Sequence, residues 1–198
     1  MNDRAAVTEY PIDPALAGRW SPRAFASSTI DEAAVASLFE AARWAPSANN
    51  LQPWAFIHAS RGTENFDRLH SCLKEANAIW AGSAALLVLA LARPIKPDGN
   101  TNLHARYDLG QAVAYMTFQA TALGLHVHQM GGFDTDRART VMGIPIDHEA
   151  VTAIAIGRRG EPSSLPAPLQ DRECAPRTRK STKTFVFPGR WQEQDGRE

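Results

Sequence analysis

Two short basic strings and one amide-rich loop carry the residues in this chain that could do chemistry. Arg19-Trp20-Ser21-Pro22-Arg23 sets two guanidinium groups and a hydroxyl within five residues. Forked cations beside a hydroxyl are suited to gripping a phosphate. Arg177-Thr178-Arg179 repeats that chemistry far along the chain. A dianionic phosphate held from both ends of the chain is one reading, and two solvated surface patches is the other. Ala45-Pro-Ser-Ala-Asn-Asn-Leu-Gln-Pro-Trp54 packs two prolines, two asparagines, a serine and a glutamine into ten residues. Neutral amides both donate and accept, which suits them to the edge of a heterocycle. The prolines fix φ and with it the shape of the segment. We read it as a binding loop in preference to a plain turn.

No other constellation competes. The chain lacks a GxGxxG after a strand, a GxxxxGK[ST] loop and a GxSxG elbow. His126 and His128 alternate along an expected strand without a carboxylate or thiolate cluster, so no metal site is expected. Cys72 and Cys174 are far apart. They read as free thiols in a reducing, cytoplasmic setting, with Cys72 a packing residue. With no credible triad, a bound cofactor is expected to supply the hard chemistry. Lys and Arg total 21, as do Asp and Glu, and a chain of zero net charge is a poor candidate for unspecific nucleic-acid or anionic-membrane binding. The start of the chain does not read as a signal peptide, and the apolar run 84–92 is too short to span a bilayer.

These residues need elements to place them. Residues 1–18 read as an irregular lead-in. Thr29 and Glu32 resemble a capping box ahead of a helix bearing Val35, Leu38, Phe39 and Ala42 that stops before Pro46. Strands are expected over 54–58, 84–92, 125–130 and 150–156, the second buried on both faces. Helices are expected over 63–75, over 106–123 up to Gly124, and from the Asp134 cap through Met142 to Gly143. Residues 171–183 read as a polar, basic stretch and 184–187 as a β-prone patch that docks on something. The alternation argues for a layered α/β or α+β domain around one sheet.

Several segments, in order, resemble the nitroreductase family of flavoproteins: RWSPRAF at 19–25, APSANNLQPWAFI at 45–57, and Asn77 with Trp80. YDLGQAVAYMTFQATALGL at 107–125, GGFD at 131–134, AIAIG at 153–157 and Arg177-Thr-Arg179 complete the set. The resemblance implies an α+β fold with a central mixed or antiparallel sheet wrapped by helices, in an intertwined homodimer. It implies one FMN-binding domain over 1–198, with a core at about 19–160 and an arm at 161–198 completing the site and the dimer.

By resemblance, Arg19, Trp20, Ser21 and Arg23 hold the FMN phosphate and ribityl with Arg177 and Arg179. Pro46, Ser47, Ala48 and Asn50 come from the other subunit, Asn77 faces the pyrimidine side of the ring, and Met130, Gly131 and Gly132 pass near flavin N5. The implied activity is transfer of reducing equivalents from NADH or NADPH to a small organic acceptor, a nitroaromatic, quinone or similar, by a ping-pong mechanism. Same-fold flavoenzymes of other chemistry (flavin breakdown, reductive dehalogenation) and a non-catalytic flavin-binding module are the alternatives. Gly131 stands where many members carry an acid, and the 93–105 segment is short where several insert helices.

Overall fold

A computed structural model describes residues 4–191. The first three residues of the expected lead-in and residues 192–198 of the expected arm lie outside the described residues. In chain order the elements are α1 (Pro14–Gly18), α2 (Glu32–Arg43), β1 (Trp54–Ser60), α3 (Glu64–His70), α4 (Glu75–Ala81), β2 (Leu86–Ala92) and α5 (Ala105–Ala122). Then come β3 (His126–Met130), α6 (Thr135–Met142), β4 (Glu149–Gly157) and α7 (Ala167–Cys174). The four strands form one sheet in the order β1-β2-β4-β3. All three pairings are antiparallel, which resolves the expected mixed or antiparallel sheet to the antiparallel form. The architecture is α+β.

The sheet divides two apolar layers. Strand β2 is buried along its whole length, as its unbroken apolar sequence requires. Successive side chains alternate between faces. Leu86, Val88, Ala90 and Ala92 meet α2 and α5, where Leu38, Leu109, Val113 and Met116 pack. Leu87, Leu89 and Leu91 meet the other layer, with Phe66, Trp80, Phe133 and Ala138 from α3, α4 and α6 and the turn before α6. Gly143 ends α6 in the left-handed conformation at φ 66°, as expected from its place after the last periodic residue.

Several local expectations are corrected. Asp31 caps α2, its carboxylate accepting from the Ala34 N–H at 2.7 Å, so the Thr29 capping box does not form. Asp is as good a cap as Thr, and the string offers both. The lead-in contains α1, capped by Asp13. The helix expected over 63–75 stops at His70, where α3 ends, and a further helix, α4, begins at Glu75 after Leu73 pairs with Phe133 across an isolated bridge. The tail holds α7. Its β-prone patch forms no strand: a 3-10 turn covers Thr182–Thr184, and Phe185 and Val186 are exposed.

Residues 24–26 and 158–160 run beside each other beyond the sheet, through Ala26 N–H to Arg158 C=O and Gly160 N–H to Ala24 C=O, both at 2.9 Å. A Cβ on Gly160 would lie 2.6 Å from the Phe25 carbonyl carbon. Backbone cannot swing aside as a side-chain tip can, so Gly160→Ala is expected to destabilise the protein by about 2–3 kcal/mol. An unchanged urea midpoint would contradict this.

Candidate functional site

Arg19-Trp20-Ser21-Pro22-Arg23 leaves α1 and runs past β3 without regular structure. Arg19 is half-buried, and its Nη1 donates to Ser21 Oγ at 3.2 Å. Burial, and next to it the Arg179 guanidinium, hold Arg19 below the ordinary arginine range. Burial followed by Arg19, Arg179 and Arg4 does the same to Arg177. The structure therefore brings the two ends of the chain together as mutually repelling cations. No carboxylate pairs with Arg19 or Arg179 among the described residues. Arg23 is also lowered by burial and Arg172, against the pull of Glu173.

Trp20 is not spread along this surface. It is buried, edge-on to His126 with centroids 6.2 Å apart, and the Arg4 guanidinium lies 4.5 Å from its ring centre. Its Nε1 has no hydrogen-bond partner among the described residues. A buried donor left without a partner among the described residues, beside guanidinium groups, is chemistry that an oxygen-rich anion would satisfy.

His128 ties this loop to the layer beneath it. Its ring lies 4.5 Å from that of Trp80, and Nδ1 is 2.9 Å from the Pro22 carbonyl oxygen. A carbonyl only accepts, so Nδ1 carries the proton. Burial, mainly, pushes this imidazole from 6.5 to about 4. Between those values the unfolded chain takes a proton that the native protein refuses. The contribution is complete above pH 6.5 and falls away toward pH 4, by about 3 kcal/mol. Wild type is expected to lose that much more stability than His128→Asn between pH 7 and 4 in urea unfolding. Parallel pH profiles would contradict it.

On the same face, Asn77 of α4 donates through Nδ2 to the Gly132 carbonyl at 2.9 Å, and the Lys74 N–H donates to that oxygen at 3.0 Å. Gly131 is exposed, and Met130 is buried in the core, so Met130 presents only backbone. Arg19, Ser21, Arg23, Arg177 and Arg179 gather where the chain leaves α1, and Asn77, Gly131 and Gly132 lie at the turn that follows β3.

Pro46, Ser47, Ala48 and Asn50 lie elsewhere. Their loop joins α2 to β1 at the opposite edge, on the opposite face. There the Ala48 N–H donates to the buried Asp108 carboxylate of α5 at 3.1 Å. Ser47 Oγ accepts from the Gln52 N–H at 3.0 Å, and Gln52 Nε2 donates to the Asn50 carbonyl at 3.1 Å. Asn49, Asn50 and Gln52 have φ of 52°, 53° and 47°. Left-handed backbone at three non-glycine residues is strained and is held by these bonds. Pro46 and Asn50 are exposed. Within one chain this loop and the Asn77–Gly132 turn belong to layers on opposite faces of the sheet.

Asp108 and Glu173, both buried acids bonded to backbone N–H of these loops, were not visible as site residues in the sequence. The one available signal was an acid set among apolar or basic neighbours.

The fold and the paired loops define a nitroreductase-type architecture. The nitroreductase family model matches residues 16–75 and 61–158, and the chain belongs to this family. A solved oxidoreductase containing FMN is 35% identical and superimposes with a TM-score of 0.91 over 98% of both chains. A nitroreductase-like protein of Desulfovibrio desulfuricans, solved with FMN, is 22% identical, with a TM-score of 0.70 over 93% of this chain and 100% of that one. A Streptomyces coelicolor protein named as a candidate NADH dehydrogenase/NAD(P)H nitroreductase is 26% identical over 161 residues, 71% of this chain and 79% of its own. No helix among the described residues is long and apolar enough to cross a membrane.

Proposed function

We propose that this protein is an FMN-dependent oxidoreductase that draws on NADH or NADPH and serves a small organic acceptor of the nitroaromatic or quinone kind. The observation that carries the reading is the group of guanidiniums from both ends of the chain, Arg19 and Arg177 partly buried, with no carboxylate paired to Arg19 or Arg179 among the described residues. Mutual repulsion is relieved when a dianionic phosphate enters. The residues fit FMN: Arg19, Ser21, Arg23 and Arg179 would meet the phosphate and ribityl, Asn77 and the backbone of 130–132 the ring. When bound, FMN supplies a two-electron carrier, and donor and acceptor using one open face in turn gives ping-pong kinetics. The chain's part is to bind, orient and present backbone donors. The similarity to an FMN-containing oxidoreductase over nearly the whole chain supports the cofactor, and the Streptomyces relative's name supports the donor.

We also propose that Pro46, Ser47, Ala48 and Asn50 serve the site of a second copy in a homodimer. The exposure of Pro46 and Asn50 supports this, as do Tyr107, Tyr115 and Phe118, which stand exposed along α5.

Reconstitution with FMN tests the first proposal: tight, stoichiometric binding is expected, and a colourless protein after FMN is supplied would refute it. Co-expressing Arg19→Ala/Arg179→Ala with Asn50→Ala tests the second. Each variant alone has only defective sites. Random pairing in an isologous dimer rebuilds about a quarter of them if the loop acts across subunits, and none if it acts within one.

A further inference from the structure

Helix α7 and the residues after it touch the anion loop in a way that phosphate binding itself does not use. Glu173 is 2% exposed. Both of its carboxylate oxygens accept from the Arg23 N–H at 3.0 Å, and Oε1 also accepts from the Ala24 N–H at 3.2 Å. Arg177, just beyond, does the complementary thing. Its Nη1 donates to the Arg4 carbonyl and, at 2.9 Å, to that of Ala17, while Nη2 donates to the Arg19 carbonyl at 2.7 Å. Arg4 Nη2 returns a bond to the Ala175 carbonyl at 2.7 Å.

One short segment therefore holds the loop by its N–H groups on one side and by its C=O groups on the other. Residues 19–23 have no regular structure of their own, so side chains must set their backbone. A buried carboxylate is tolerable only when its lone pairs are met, and the Ala24 N–H, on a residue 1% exposed, has no water to fall back on.

We infer that Glu173 and Arg177 are positioning residues that shape the phosphate loop, and that Arg179 is the arm's phosphate ligand. The inference rests on the FMN reading above. It divides the basic pair: Arg177 spends its fork on three backbone carbonyls, whereas Arg179 is exposed and, among the described residues, bonds only the neighbouring Thr178 carbonyl. A lysine cannot span three carbonyls as a guanidinium does, but it can stand beside a phosphate as a point charge.

The test measures FMN and riboflavin dissociation constants on the full chain, for wild type, Glu173→Gln, Arg177→Ala, Arg177→Lys, Arg179→Ala and Arg179→Lys, with circular dichroism as the fold check. Glu173→Gln and Arg177→Lys are expected to weaken FMN about tenfold or more, with riboflavin changed less than about twofold. Arg179→Lys should keep FMN affinity within a few-fold of wild type, and Arg179→Ala should lose it.

Wild-type FMN affinity in Glu173→Gln would overturn the inference. So would Arg177→Lys rescuing what Arg177→Ala loses, since that marks Arg177 as a charge on the phosphate. Equal weakening of both flavins would mark a general folding role and overturn it too. If Glu173→Gln does not fold, Arg177→Lys decides. A wild type that binds neither flavin defeats the cofactor reading and this inference with it. A wild type that binds FMN while the variants stay indifferent defeats this inference alone.

Discussion

Arg19→Ala/Arg179→Ala is expected to purify without flavin and to be no less stable than wild type. The two guanidiniums come from opposite ends of the chain, and Arg19 is held below its usual range by burial and by Arg179. In the empty site each therefore raises the energy of the other. A phosphate reverses the sign, since each cation then gains a charge-assisted hydrogen bond. At about 1.5–3 kcal/mol for each bond, the pair accounts for two to four orders of magnitude in FMN affinity. Riboflavin lacks the phosphate and should bind both proteins alike. Removing the cations also removes their repulsion, so the apo-variant should unfold at an equal or higher urea concentration, a trade of stability against binding common at functional sites. Competition titrations with the two flavins give the first result and urea unfolding the second. An FMN affinity within a few-fold of wild type would contradict the phosphate assignment.

Gly132→Ala should behave quite differently from Gly131→Ala, although the residues are adjacent. A Cβ at 132 would sit 2.6 Å from Asn77 Nδ2, whereas one at 131 meets nothing within 4 Å. Asn77 donates to the carbonyl of that same Gly132, so the methyl forces out the side chain that orients the peptide. The Asn77 tip can swing aside, so the loss is mainly that half-buried bond, and Gly132→Ala should cost about 1 kcal/mol. Its FMN affinity should fall together with that of riboflavin, because Asn77 and the 130–132 backbone are proposed to meet the ring that both flavins share. Gly131→Ala should be close to neutral in stability. Urea unfolding and flavin titration of the two variants, side by side, check this, and equal losses would contradict it.

The sequence and the fold agree most closely where composition is extreme. The stretch 84–92 is apolar without interruption, and β2 is buried from end to end. Asp134 and Gly143 bracket α6 because a capping carboxylate and a left-handed glycine each have a strong local preference. The amide loop stood out by density alone, and its strained backbone is held by its own Ser47 and Gln52. What could not be read depends on residues distant in sequence. The break between α3 and α4 has no glycine or proline to announce it, and it arises where Leu73 pairs with Phe133. Antiparallel strand order is likewise invisible to local pattern. Arg177 carries the same charge and spacing whether it meets a phosphate or three carbonyls. Glu173 becomes meaningful only once α7 is seen to bury it against Arg23 and Ala24. A lone acid in a basic tail says nothing by itself.

The visible absorption spectrum of the purified, FMN-loaded protein under anaerobic conditions, before and after adding NADH and then NADPH, decides whether this is a flavin reductase. The flavin spectrum is expected to bleach with at least one nucleotide and to recover on adding a quinone or a nitroaromatic. A flavin band that neither nucleotide bleaches would contradict the proposed reductase and leave a flavin-binding protein in its place.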